Sequence, residues 1–167
     1  MRATKMIAIM RNLLYSLSII LLFTAGTVSC SINDPLIFDD AFVYLSDANG
    51  ASSSTVDSNS QNYLATYNIH LISPVLPHDV QVYYDLVVGD GLTENVDFRI
   101  IASTGSPVTF ARGITSMPVR IEWLAHPLDG TKDNTLRIVL RSCSDPSVMI
   151  GKPGPDHIGA EYTITKR

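Results

Sequence analysis

The sequence predicts an all-β fold, an antiparallel sandwich, behind a short N-terminal apolar segment. Three observations predict it. Apolar and polar residues alternate with a period of two in segment after segment beyond residue 41. Those segments are short and are separated by clusters of Gly, Pro, Asn, Asp and Ser. No stretch beyond the N-terminal segment sustains a helical period. Seven or more such strands with frequent turns fit two packed antiparallel sheets. A parallel sheet, buried on both faces, would not alternate so cleanly.

The elements follow in order. Ala41–Ser46 is a first apolar strand, and 47–61, rich in Ser, Asn, Asp and Gly, has little to bury and reads as a mobile loop. Residues 62–73 form a long strand with Tyr63, Ala65, Tyr67, Ile69 and Leu71 on one face. Residues 79–88 turn Val80, Val82, Tyr84, Leu86 and Val88 inward and Gln81, Tyr83 and Asp85 outward. A Gly89–Asn95 turn leads to a short strand over 96–101. A turn at 103–106 precedes a strand at 107–111, and Arg112-Gly113 turns the chain again. Residues 116–124 set Met117, Val119, Ile121 and Trp123 against Pro118, Arg120 and Glu122. After a polar loop at 125–133, residues 134–142 place Leu136, Ile138 and Leu140 inward and Arg137 and Arg141 outward. A Pro- and Gly-rich stretch over 145–156 precedes a last strand at 158–165, with Ala160, Tyr162 and Ile164 facing in.

The first 29 residues have another logic. Arg2, Lys5 and Arg11 form a positive start, Leu13–Phe23 is a near-continuous apolar run, and Thr24–Ser29 supplies small residues before Cys30. This is the pattern of a cleaved signal peptide, and the run is shorter than the ~20 residues that span a bilayer. Met10-Arg11-Asn12-Leu13 is an alternative start to Met1. Residues 1–29 are therefore expected to be removed, 30–40 to form a tether, and 41–167 to be the folded domain, long enough to bury a core.

The whole chain carries a formal charge of −4. The leader holds three bases and no acid, so the rest carries nine bases against sixteen acids. Nucleic acid, whose phosphates need clustered Lys and Arg, is excluded as a partner. Only Cys30 and Cys143 are present, so the core and not a disulfide must hold the domain together.

Thr27-Val28-Ser29-Cys30 resembles the lipobox of bacterial lipoproteins, with Thr27 where Leu is usual. The resemblance implies diacylglycerol on the Cys30 sulfur, cleavage before it and acylation of the new amino terminus. Each buried methylene contributes ~0.8 kcal/mol, and one chain holds only reversibly, so the extra acyl chains make a stable membrane anchor.

The folded part is similar to the Calx-beta-like branch of immunoglobulin-like sandwiches, as found in single-domain lipoproteins of Bacteroides-type bacteria. The matching residues are Val80–Asp85, Gly89–Leu92, Asn95–Phe98, Val108–Gly113, Pro118–Ile121, Leu136–Leu140, Ile150-Gly151 and Glu161–Thr165. The family's calcium-binding members carry an Asp-Asp pair and spaced Glu residues before the penultimate strand. Here that region is His126–Asp133, so calcium binding is not carried over. Only Asp34 supplies an acid just after Cys30, which leaves periplasmic orientation and surface display both open. The resemblance implies an outer-membrane, envelope or glycan-uptake accessory role and no defined reaction.

Candidate chemistry is sparse. Asp90, Glu94 and Asp97 could supply carboxylate oxygens to a metal, but their spacing is not an EF-hand loop and Gly-Asp-Gly is a common turn. His70, His78, His126 and His157 lie in four segments without zinc spacing, and no cofactor is expected. Ser116 and Ser142 lack a nucleophile-elbow context. Cys143 has no neighbouring motif to activate it. Asp85, Asp97 and Glu122 could pair for acid/base work only if the fold brought two of them together. Tyr83, outward by parity, and Trp123, inward by parity, are the binding candidates, because aromatic faces stack on sugar rings. The expected function is a membrane-tethered, non-catalytic envelope domain that binds a glycan or a partner protein. A structural or adhesin-like subunit is the second reading, and an envelope or glycan hydrolase the third.

Overall fold

The structure, a computed structural model, describes residues 40–57, 61–74, 78–101 and 105–167. The leader, Cys30 and most of the tether lie outside the described residues, as does part of the 103–106 turn. Ten strands are present: β1 (Phe42–Ser46), β2 (Ser53–Val56), β3 (Tyr63–Ile72), β4 (Val80–Val88), β5 (Phe98–Ile100), β6 (Val108–Phe110), β7 (Ser116–Trp123), β8 (Thr135–Cys143), β9 (Met149–Ile150) and β10 (Glu161–Lys166). No described residue is helical. One sheet runs β5-β7-β3-β1-β9 and the other β2-β10-β8-β4-β6.

The period-two pattern is what closes these sheets on each other. Val43, Leu45, Tyr67, Ile69, Val119, Ile121 and Trp123 of one sheet share a single core with Val80, Val82, Tyr84, Leu136, Ile138, Leu140, Tyr162 and Ile164 of the other. The opposite parity carries charge. Arg99 pairs with Glu122 directly across β5–β7, Arg141 Nε meets Asp85 Oδ2 at 2.7 Å, and Arg137 meets Glu161 at 3.3 Å. Exposed pairs of this kind contribute little stability each but keep a sheet face soluble.

Four features differ from the sequence expectation. The expected loop at 47–61 contains β2, which lies parallel to β10 from Ser53↔Thr163 to Val56↔Lys166. Only Val56 of β2 is buried, so the strand leaves almost no apolar signature. The Pro- and Gly-rich stretch contains β9, parallel to β1 at Phe42↔Met149 and Val43↔Ile150. Both central strand sets are antiparallel, so these two edge pairings are the parallel exceptions. Finally, Tyr63 and Val88 keep inward parity yet are exposed: pairing with β1 ends at Ser46↔Asn68 and leaves Tyr63 a strand neighbour only on the β7 side, and Val88 is the last residue of β4.

The turn after β9 depends on one glycine. Gly151 has φ +81°, and a Cβ there would lie 2.3 Å from the His157 carbonyl oxygen. Left-handed backbone and a backbone clash coincide. Gly151→Ala is expected to destabilise the domain by about 2 kcal/mol or more. Gly130→Ala, where a Cβ meets nothing within 4 Å, serves as the near-neutral control. Urea denaturation of the two variants checks this; equal midpoints would contradict it.

Candidate functional site

The chemistry-bearing side chains collect at the end of the sandwich where β10 finishes. Register places this end: Lys166 sits beside Val56, Thr135 beside Thr165, and Tyr63, Trp123 and Phe98 lie side by side across β3, β7 and β5. β10 alternates Tyr162, Ile164, Lys166 inward, so its last residue drives an ammonium into the core. The Lys166 side chain is fully buried and its Nζ lies 2.9 Å from Asp97 Oδ1, on a carboxylate 4% exposed. Asp97 Oδ1 also lies 3.0 Å from His126 Nδ1, and its Oδ2 accepts the Thr93 backbone N–H at 2.9 Å.

Burial would push the Asp97 carboxyl up. The Lys166 ammonium, the Thr93 N–H and His126 together outweigh it, and the group is held below the ordinary carboxylate value. Beside this pair, Pro127, Leu128, Lys132, Asp133, Thr165 and Arg167 line an open depression of about 590 Å³.

The metal candidates that residue type and spacing single out are not brought together. Asp90 is exposed and its Oδ1 accepts the Asp133 backbone N–H at 2.9 Å. Glu94 is exposed in the β4–β5 turn, and Asp97 is occupied by Lys166. Among the described residues, no group of three or more His, Cys, Asp or Glu is placed to hold a metal ion. The three carboxylates considered for acid/base work are also dispersed, Asp85 to Arg141, Glu122 to Arg99 and Asp97 to Lys166.

Nucleophile candidates fare no better. Ser46 Oγ lies 3.0 Å from His70 Nε2 on the outer face of β1 and β3. Ser46 is buried, and its hydroxyl also lies 3.1 Å from the Asp47 carbonyl, a competing acceptor for its one proton. Burial, with the Lys152 charge behind it, lowers the His70 pKa. The Cys143 thiol is pushed up to about 11 by burial and by Asp145, far from the thiolate that reactivity requires. His78 pairs with Asp145 at 2.9 Å, and His157 sits in the loop before β10.

Of the binding candidates, Trp123 is 1% exposed and offers no face to a ligand. It packs against Phe98 at 6.0 Å between ring centroids and donates its Nε1–H to Tyr67 Oη at 3.2 Å. Tyr83 is 40% exposed and donates to Gln81 Oε1 at 3.1 Å. Sequence reasoning missed a tyrosine cluster at the Lys166 end. Tyr67 and Tyr162 have ring centroids 5.0 Å apart and, with Tyr63, Ser54 and Asp47, line a pocket of about 160 Å³ between β2 and β3. Parity flagged all three tyrosines as core, and only the unanticipated position of β2 leaves the space beside them.

Comparison with solved structures places this architecture. The chain is similar to the apo form of the Calx CBD1 domain, with a TM-score of 0.51 and 17% sequence identity over 76% of this chain and 96% of that one. It also matches the calcium binding domain CBD12 of CALX1.1, at TM-score 0.42 and 16% identity over 69% of this chain and 41% of that one. The first likeness shows a Calx-beta-like, immunoglobulin-like β-sandwich, as the sequence predicts. No family model and no curated protein sequence matches the chain.

The buried pair sets an acid sensitivity. A depressed carboxylate stabilises the fold above its unfolded pKa of about 4, and that stability is lost as pH falls through the folded value. Asp97→Asn leaves Lys166 buried without its counter-charge and is expected to cost about 3–5 kcal/mol at neutral pH. Its stability should also fall less steeply below about pH 4 than that of the parent chain. Denaturant midpoints measured from pH 3 to 7 check both; parallel curves for the two proteins would contradict the assignment.

Proposed function

We propose that this chain is a membrane-tethered, non-catalytic envelope domain of the Bacteroides-type lipoprotein kind, which binds glycan. Cys30 carries the anchor, and the outer membrane is its place. The observation that carries the binding half is Tyr63, 56% exposed at the rim of the Tyr67–Tyr162 pocket. An accessible aromatic face beside buried hydroxyls suits a ring that is apolar on one face and polar at its edge. Glycan is favoured over a protein surface because the exposed Tyr63 ring borders a pocket lined by Ser, Thr, Tyr, Asn and Asp side chains.

Two observations support the non-catalytic half. Asp85, Glu122 and Asp97 are each paired with a separate basic side chain, and the Cys143 thiol stays protonated at neutral pH. Against an assembly subunit that polymerises by strand pairing, the edge strands β2, β5, β6 and β9 span only four, three, three and two residues. Short edges disfavour strand addition.

The anchoring half has a direct check. Mass spectrometry of the mature chain should find Cys30 as a lipid-modified first residue, and Cys30→Ser should move the protein from the membrane to the soluble fraction. Membrane retention by the Ser variant would contradict the anchor. For the binding half, immobilised envelope polysaccharide should retain the full chain in detergent; passage without delay would overturn it.

A further inference from the structure

The end of the sandwich opposite Lys166 is where the chain enters the domain. β1 starts there at Phe42, and β3 ends there at Ile72, its register partner. The Leu71 N–H donates to the Thr115 carbonyl at 2.9 Å, which brings Ile114 alongside the end of β3. Ile72 is 37% exposed and Ile114 44%, next to the buried ring of Phe42. Between the sheets Leu71, Val80, Phe110 and Ile114 line a cleft of about 140 Å³. Two isoleucines from separate parts of the chain thus share one exposed patch, and the hydrophobic effect favours its removal from water.

Charge separates this end from the other. Arg112 is exposed in the β6–β7 turn and forms no ion pair among the described residues, unlike Arg99, Arg137 and Arg141. The exposed acids here are Asp40 and Asp79, and Asp79 Oδ1 accepts the Arg112 backbone N–H at 3.1 Å. Asp145, mostly covered, is shared between His78 and the Ser147 N–H. The Lys166 end also exposes apolar side chains, Val88 and Val96 among them. Its loops, however, carry exposed Asp57, Asp90, Glu94, Asp129 and Asp133 against Lys132 and Arg167. Lipid phosphates repel that end more strongly, and they attract Arg112 at this one.

The proposed anchor supplies the partner. Ten residues, 31–40, link Cys30 to Ala41, a reach of about 35 Å at most. β3, ten residues long, spans about 33 Å between the two ends of the sandwich. Seating the Lys166 end on the bilayer would take nearly that whole reach along the flank of the domain, whereas this end needs little of it. A tether also makes the encounter intramolecular, so a weak contact suffices. Resting on the anchoring reading above, we infer that the Ile72–Ile114 end seats on the phospholipid surface that holds Cys30. The two isoleucines enter the headgroup layer, Arg112 meets a lipid phosphate, and Tyr63 at the opposite end faces away from the bilayer.

Amide NMR of the full lipidated chain in phosphatidylcholine–phosphatidylglycerol nanodiscs tests this, with a nitroxide on the lipid headgroup as the probe. The signals of Ile72, Arg112 and Ile114 should broaden most, and those of Tyr63, Asp90 and Asp133 should stay sharp. Ile72→Thr combined with Ile114→Thr, which keeps a β-branched side chain at each exposed position, should abolish that difference between the ends. The double variant should stay folded and held by the membrane. Arg112→Gln alone should reduce the broadening at Ile114.

Uniform broadening, or broadening strongest at Tyr63, in a chain still held by the membrane overturns the inference and leaves the anchoring reading in place. Equal broadening in the parent and the double variant also overturns it. Signals of Ile72 and Ile114 that shift with protein concentration and not with the lipid probe would assign the patch to a second copy of the chain, which overturns it too. A chain without lipid on Cys30 that stays in the soluble fraction removes the anchoring reading and this inference together.

Discussion

The Lys166–Asp97 ion pair is the contact on which this end of the sandwich depends. Lys166 closes β10 in one sheet, and Asp97 immediately precedes β5 in the other, 69 residues apart in sequence. The pair therefore ties two sheets that otherwise meet chiefly through apolar side chains. It also fixes the β4–β5 turn, because Asp97 Oδ2 holds the Thr93 N–H while Asn95 adopts a left-handed φ of 66°. A buried cation tolerates no other arrangement, since an unpaired ammonium in the core costs several kcal/mol. The same contact decides what Asp97 does. A carboxylate committed to an internal ammonium is a structural group, whatever its neighbours in the turn suggest.

Much of the fold was legible because alternation reports burial directly. Val80, Val82 and Tyr84, then Val119, Ile121 and Trp123, then Leu136, Ile138 and Leu140, all face the core as their parity requires. β2 and β9 were not legible. Each is a short edge strand whose partner lies far away in sequence, and backbone pairing with β10 or β1 leaves no mark on side-chain pattern. The last strand shows a subtler failure. Its parity runs on from Tyr162 and Ile164 to Lys166, but a lysine at an inward position reads as the end of a strand unless its carboxylate is known.

The site shares that limit. Residue type singled out Asp97, yet spacing grouped it with Asp90 and Glu94, which share its turn, and not with Lys166 or His126, which share its space. The tyrosines have the same history. Tyr67 and Tyr162 were marked as core by parity and are core, but the pocket beside them exists because β2 lies parallel to β10. Trp123, the obvious aromatic, serves instead as the buried donor that orients Tyr67. The proposed anchor rests on a different kind of signal, the local Thr27–Cys30 pattern, which needs no fold and lies outside the described residues. In the proposed reading, that anchor holds at a membrane a sandwich whose exposed Tyr63 sits at the end that the ion pair keeps in shape.

The most direct measurement of this account is a carbon-13 NMR pH titration of the Asp97 side-chain carboxyl in the full chain. With Lys166 seated on Oδ1, that carboxyl should titrate clearly below the ordinary value of about 4 and move upward in Lys166→Met. A carboxyl that titrates at the ordinary value in both proteins would contradict the buried pair and the closed end built on it.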